Sequence, residues 1–242
     1  MNVAWPRFVP VLAWLVMPAC ATAQDSLPRV LVFSSTSGYR HASIPDGVRA
    51  ITKLGKENGF VVESSEAAAR FNARELQQFR AVVFLNTTGD VLNEEQQRAF
   101  EDYITKGGGY VGIHSASDTE YEWPWYGRLV GAYFASHPRI QPARLIVVDS
   151  THPATTGLPR SWDRTDEWYN FRQTPAAVRV LIRIDESSYD GGKNGPHHPM
   201  AWFHEVANGR AFYTALGHTE ASYQEPHFLA HLLGGIRYAA RL

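Results

Sequence analysis

The sequence predicts an α/β domain of the doubly wound class, with a parallel sheet and an elaborated β edge. Two observations carry this prediction. Short apolar, β-branched runs at residues 29–34, 81–85 and 110–113 alternate with segments of helical period, and each run ends in a polar or glycine-rich turn. Strands alternating with helices are βαβ units, whose crossovers cover both faces of a parallel sheet, so the strands read as nearly continuous apolar runs.

The first run, RVLVFS at 29–34, ends in Ser35-Thr36-Ser37-Gly38, as a buried strand followed by a turn does. Ser43 then stands as N-cap of a helix with Pro45 in its first turn, Val48, Ile51 and Leu54 at helical spacing, and Gly59 as its stop. A second strand follows at 60–63. Residues 67–79 read as helical in pieces, with Leu76 and Phe79 apolar, and lead into the third strand, AVVFL at 81–85. Asn93 before Glu94-Glu95-Gln96 is a capping-box pattern for a helix with Phe100, Tyr103 and Ile104 apolar, which Gly107-Gly108-Gly109 ends. The fourth strand, 110–113, carries His114 at its tip.

After about residue 140 the pattern changes to strands at 144–148, 178–184, 200–206 and 210–216. The last two are joined through Asn208-Gly209, a hairpin signal. Residues 226–241 predict a closing helix with Phe228, Leu232, Leu233 and Ile236 inward. With no repeat, low-complexity tract or linker, the changed pattern reads as an edge of the same domain.

The 242 residues are 44% hydrophobic and 19% charged, with a formal net charge of -1. One domain with a substantial core fits that length. No basic stripe of the kind that phosphate backbones demand is present, so nucleic acid is not an expected partner. At the N-terminus Arg7, an apolar run at 8–17 and Ala21-Thr22-Ala23 read as a signal peptide cleaved after Ala23. This divides the chain into a leader at 1–23 and a domain at 24–242, exported to the periplasm or secreted. The apolar run is shorter than the ~20 residues that cross a bilayer, so no membrane span is expected. The one cysteine, Cys20, lies in the leader, where lipidation is the alternative; cleavage after Ala23 leaves no thiol for catalysis, disulfide or metal.

In open α/β sheets ligands bind outside the carboxyl ends of the strands, where loops converge and helix N-termini point. Those ends carry Gly38-Tyr39-Arg40-His41, Asn86-Thr87-Thr88, His114-Ser115-Ala116-Ser117-Asp118 and Gly217-His218-Thr219. Asp166-Glu167-Trp168-Tyr169 adds a carboxylate pair among aromatics. One histidine at a strand tip is more often structural than catalytic. Three at separate strand ends, with Glu167 the more interesting carboxylate, make a site the better reading.

At these residues the sequence resembles the trehalose-utilisation, or ThuA-like, domains. The resemblance runs through Gly38-Tyr39-Arg40-His41, Gly109-Tyr110-Val111-Gly112-Ile113-His114, FASHP at 134–138, Asp166-Glu167-Trp168-Tyr169, Pro199-Met200-Ala201-Trp202 and Gly209-Arg210 to Leu216-Gly217-His218. It implies a relative of the class I glutamine amidotransferase fold, a flavodoxin-like three-layer sandwich. The relative's catalytic cysteine would fall at His114 or Ser115; neither is cysteine, so amidotransferase chemistry is not expected. A serine hydrolase at Ser115 lacks the Gly-x-Ser-x-Gly elbow, because the segment reads Gly112-Ile113-His114-Ser115-Ala116.

The resemblance further implies a small-molecule carbohydrate as substrate, such as a 3-oxo-glycoside, whose C2 proton is acidic. A base that removes it and an acid or metal that holds the enediolate suffice for isomerisation or for elimination of the aglycone. His114 and His218 are then expected in proton transfer or metal ligation and Glu167 as base or ligand, with His41, Asn86 and Asp118 orienting sugar hydroxyls. Trp202 is expected either to stack on the sugar ring or to pack in the core. Two histidines and a carboxylate suit a divalent metal, zinc or manganese, although no compact ligand spacing marks one. His197 and His198 read as a lid or a solvated loop, His137-Pro138 and His152-Pro153 as turns, and Tyr121, Trp123, Trp125 and Tyr126 as a pocket wall or a cover for the sheet end. The alternatives to an enzyme are a noncatalytic carbohydrate-binding module and an interaction subunit. A homo-oligomer is compatible with each.

Overall fold

In the computed structural model, which describes residues 1–3 and 27–242, the chain enters through β1 (Arg29–Phe33), α1 (Ile44–Asn58) and β2 (Val61–Ser65). It continues through α2 (Ala73–Leu76), β3 (Ala81–Leu85), α3 (Glu94–Thr105), β4 (Gly109–Ile113) and α4 (Pro124–Val130). Seven strands follow, β5 (Phe134–Ser136), β6 (Gln141–Val147), β7 (Ser161–Asp166), β8 (Asn170–Phe171), β9 (Arg179–Ile184), β10 (Pro199–Val206) and β11 (Gly209–Thr214), and then α5 (Pro226–Ala240). The expected leader, its cleavage after Ala23 and Cys20 lie outside the described residues.

Nine strands form one sheet in the order β2-β1-β3-β4-β11-β10-β9-β6-β7, while β5 and β8 pair separately. Neighbours from β2 to β11 are all parallel, and from β11 to β7 all antiparallel. The parallel half has the flavodoxin-like order, with its switch between β1 and β3. β3 and β4 are buried at every residue, and β1 at all but its first, which is why those runs are legible as continuous apolar sequence.

The helix signals hold with two adjustments. Gly59 ends α1 in the left-handed region at φ 77°, its N–H donating to the Gly55 carbonyl, and Asn93 and Gln96 form both bonds of the capping box on α3. Ser43 stands at the N-cap of α1, but its side chain does not cap; its hydroxyl faces the Gly217 carbonyl at 3.4 Å and accepts from Asn86 at 3.0 Å. On α5, Phe228, Leu232 and Ile236 are buried, whereas Leu233 lies half-buried at the flank.

The hairpin between β10 and β11 turns one residue earlier than Asn208-Gly209 suggests. Val206 pairs with Gly209, so the turn residues are Ala207 and Asn208, with Ala207 at φ 53°. Gly209 pairs within the strand and must be glycine there, because a Cβ would sit 2.7 Å from the Gly108 carbonyl oxygen and from Ile104. The sequence reading omits β7, whose buried face is Trp162, Arg164 and Asp166. Two charged residues on the inward face erase the apolar alternation that marks a half-buried strand.

β7 also decides the shape of the site. It stands four places from β11, which in a flat sheet separates them by about 19 Å at ~4.8 Å per strand. Yet the Asp166 carboxylate lies 2.9 Å from the Gly217 N–H just past β11. The antiparallel half therefore coils back over the end of the parallel half, held where Arg164 meets Ser222 at 2.8 Å and Glu225 at 2.9 Å. No helix among the described residues is long and apolar enough to cross a membrane.

Candidate active site

Four chain segments that are remote in sequence converge at the carboxyl ends of the parallel strands. His41 follows β1, His114 follows β4, His218 follows β11, and Glu167 is delivered by the coiled end of β7. One ligating atom from each of the four lies within 4.8 Å of all the others.

The centre is a triangle. His114 Nε2 is 3.1 Å from His218 Nδ1 and 3.4 Å from Glu167 Oε2, and His218 Nδ1 is 3.1 Å from the same Oε2. His114 Nδ1 donates to the Ala215 carbonyl at 2.8 Å. A carbonyl only accepts, so this bond fixes the tautomer and leaves the neutral ring a lone pair on Nε2. The Tyr169 ring covers His114 at 4.1 Å between centroids. His41 meets the rings of His114 and His218 edge-on at 5.0 Å each, with its Nδ1 3.3 Å from Ser115 Oγ.

His114 takes φ 50°, a left-handed backbone that L residues seldom adopt. The strand thus ends in a sharp elbow that turns the buried side chain toward His218 and Glu167, at one of the two positions where the resemblance places the amidotransferase cysteine. Asn86, at the end of β3, shares the feature with φ 49°.

Asp166 organises the loops beneath. Its two oxygens accept the backbone N–H groups of Glu167 at 3.0 Å, Gly217 at 2.9 Å and His218 at 3.2 Å, and Arg164 pairs with it at 3.1 Å. It is fully buried and touches no crevice surface. Asp166 therefore sets the relative position of Glu167 and His218, a role that the sequence does not reveal. His137, expected in a turn, also joins the site: its Nδ1–H faces the Pro138 carbonyl at 2.9 Å and Glu167 Oε1 at 3.0 Å. Its side chain is 44% exposed. The one sequence signal for it is its place in the FASHP segment.

Charges follow from these contacts. Burial works against ionisation of Glu167, but the hydrogen bonds and charges of His218, and of His114 when its ring carries both protons, hold its carboxyl well below the usual range. For His218 burial is outweighed by the Glu167 bond and charge, so the imidazole is raised. His41 is pushed down to about 3 by burial first and then by the charges of His114 and His218. Asp118 is raised by burial, against the bond it accepts from the Tyr121 hydroxyl at 2.6 Å.

The expected substrate contacts divide. His41 joins the cluster, and Asp118 lies close enough for His114 and His137 to bear on its charge. Asn86 is fully buried, donating to Ser43 and to the Gly217 carbonyl at 3.2 Å, so it braces the loop before His218 and offers no exposed surface to a sugar. Of the two readings of Trp202, the structure has core packing. Trp202 is fully buried, donates to the Val130 carbonyl at 2.9 Å and packs on Tyr213 at 4.5 Å between centroids, because its face of β10 points into the core. The aromatic face at the mouth is Tyr39 instead, 67% exposed and edge-on to His41 at 4.9 Å.

His198 belongs neither to a lid nor to a solvated loop; it is buried between Glu186 at 2.8 Å and the Tyr169 carbonyl at 2.8 Å. Tyr126 is fully buried against Ala116 and Tyr110 and Trp123 stacks on Trp125 over the sheet end, leaving Tyr121 as the member that reaches the site. Clefts of about 430 Å³ beside Tyr103 and about 530 Å³ beside His204 contain none of the cluster residues.

A family model described as trehalose utilisation (ThuA) matches residues 29–239. Among solved structures, a ThuA-like protein from Bacteroides uniformis is 24% identical over 92% of this chain and 95% of its own, with a TM-score of 0.77. A ThuA-like protein from Parabacteroides merdae is 22% identical over 88% and 90%, with a TM-score of 0.73. A cytoplasmic protein from Salmonella typhimurium shares the fold more distantly, at 11% identity over 87% and 98% and a TM-score of 0.62. Among curated proteins none matches.

Proposed function

The chain belongs to the ThuA family, with a glutamine amidotransferase-like fold, and from that premise we propose that it is an exported enzyme of carbohydrate catabolism acting on a sugar or glycoside derivative by proton transfer. The observation that carries this reading is that one carboxylate, Glu167, engages three histidines from three separate segments: His137 at 3.0 Å, His218 at 3.1 Å and His114 at 3.4 Å. Such convergence in a crevice is what acid–base chemistry requires, since proton transfer contributes only where donor and acceptor are held within hydrogen-bond reach.

The roles follow from the contacts. His218 and His137 both turn Nδ1 to Glu167, so Nε2 is the nitrogen each keeps for a substrate. An imidazole oriented by a carboxylate can take a proton at that atom and return it near neutral pH. On a 3-oxo-glycoside the base takes the C2 proton while the C–H electron pair moves into the C3 carbonyl, giving an enediolate. Reprotonation at C2 from the opposite face completes an epimerisation, and protonation at C3 with loss of the O2 proton moves the carbonyl to C2. Alternatively the enediolate re-forms the C3 carbonyl and a C1=C2 double bond as the C1–O bond breaks, and the departing aglycone oxygen takes up a proton. Tyr39 offers the sugar an aromatic face at the mouth.

A noncatalytic carbohydrate-binding module is the competing reading, and it loses its main stacking platform with Trp202 in the core. Its test is direct. The protein is incubated with 3-oxo-glycosides in deuterated water, and deuterium at C2 and free aglycone are followed by NMR. Exchange or release that Glu167→Gln abolishes supports the enzyme. Calorimetric binding without exchange, unchanged in Glu167→Gln, overturns it in favour of the binding module.

A further inference from the structure

We propose that His41, His114, Glu167 and His218 form a binding site for a divalent first-row transition ion, with zinc the first choice. The inference deepens the site just described, but its argument does not depend on the proton-transfer reading.

The first support is metric. Ligands about 2.0–2.1 Å from a tetrahedral zinc lie about 3.3 Å from one another. The three edges of the His114–His218–Glu167 triangle are 3.1, 3.1 and 3.4 Å. His41 supplies a fourth donor, within 4.8 Å of each of the others.

The second support is the accounting of protons. His114 Nδ1–H is committed to the Ala215 carbonyl, so neutral His114 turns a lone pair toward Glu167 Oε2 and His218 Nδ1. One N–H from His218 can serve only part of this triangle, and the Nε2 lone pair still faces a carboxylate oxygen in a buried setting. A cation at the centre satisfies all three donors at once. The set also fits borderline ions: imidazoles and one carboxylate with no thiol suit zinc and its neighbours better than magnesium or calcium.

The third support is the ring of outer contacts. A ligating histidine almost always directs its other nitrogen to a carbonyl, carboxylate or other polar partner, and ligating carboxylates are themselves hydrogen-bonded. Here His114 is held by the Ala215 carbonyl and His41 by Ser115 Oγ. His137 holds Glu167 Oε1, leaving Oε2 as the single oxygen presented to the centre. Asp166 fixes the backbone of both Glu167 and His218. The bound ion would stabilise charge on a substrate oxygen. The proton-carrying role then falls to His137, which lies outside the ligand set.

The experiment strips the full-length protein with a chelator, reloads it with zinc, manganese or cobalt, removes excess ion, and measures metal per chain by elemental analysis. The expected result is about one zinc per chain, a visible cobalt spectrum of nitrogen and oxygen ligation, and affinity lower by at least about a hundredfold in His218→Ala and Glu167→Gln. Retention well below one equivalent of every ion, or equal retention in folded variants, overturns the proposal. If the variants fail to fold, the cobalt spectrum of the wild-type protein decides alone: an aquo-ion spectrum overturns the site. No substrate is needed, so the two readings fail separately. Failure to retain any ion together with C2 exchange overturns the ion site and spares the chemistry, whereas a stoichiometric metal with no exchange leaves the ion site and overturns the chemistry.

Discussion

The Asp166 carboxylate accepts the backbone N–H of His218 at 3.2 Å, tying the end of β7 to the loop after β11. With Glu167, Gly217 and Arg164 on the same carboxylate, this contact is the keystone of the crevice. Replacing Asp166 with Ala leaves three N–H groups and a buried guanidinium without their partner. The expected cost is about 3–5 kcal/mol, or a fall of roughly 6–20 °C in melting temperature for a domain of this size. Thermal denaturation followed by circular dichroism measures it. Asp166→Asn keeps the shape but loses the charge, and is expected to fall between the two.

Trp202 separates core packing from ligand stacking. Trp202→Ala is expected to destabilise the fold by about 3–5 kcal/mol, the range for a large aromatic lost from a core. Substrate affinity of the fraction that remains folded should be unchanged. Urea unfolding, paired with calorimetry on the folded protein, reads both quantities, and a selective loss of affinity would return Trp202 to the site.

Tyr39 is expected to behave in the opposite way. It is 67% exposed at the mouth, so Tyr39→Ala should leave the melting temperature nearly unchanged. A lost stacking contact of about 0.5–1.5 kcal/mol raises KM roughly two- to tenfold. Steady-state kinetics with the substrate identified by the exchange assay checks the split between KM and kcat.

His231 gives a pH prediction far from the crevice. It is fully buried, with Nδ1 donating to the Ala154 carbonyl at 2.7 Å, and burial pushes it down to about 4. Unfolded, it titrates near 6.5, so between these values the unfolded chain binds more protons and stability falls with falling pH. Between pH 7 and pH 5 the expected loss from this group is about 2 kcal/mol. Melting curves across that range should show the slope, to which buried His41 and His152 add in the same sense, and His231→Gln should reduce it by about its own 2 kcal/mol; an unchanged slope overturns the assignment.

The strands β1, β3 and β4 were legible because burial on both faces makes a strand continuously apolar, and the carboxyl ends of β1, β4 and β11 located His41, His114 and His218 without any knowledge of contacts. The pairing of Asp166 with the N–H groups of Gly217 and His218 was not legible. It depends on β7, whose inward Arg164 and Asp166 hide it from hydrophobic patterning, and on the coiling that returns β7 to the end of β11. Period-two alternation likewise put Trp202 on one face of β10, but only the sheet's neighbours decide whether that face meets a core or a ligand. The sequence by itself determined the α/β class, the alternation of strands and helices through residue 114 and the residue types at the strand tips, because these follow from local periodicity and chain order. Only the tertiary structure decided which of those residues meet, because the distances within the cluster are set by non-local pairing between segments roughly fifty to one hundred and eighty residues apart.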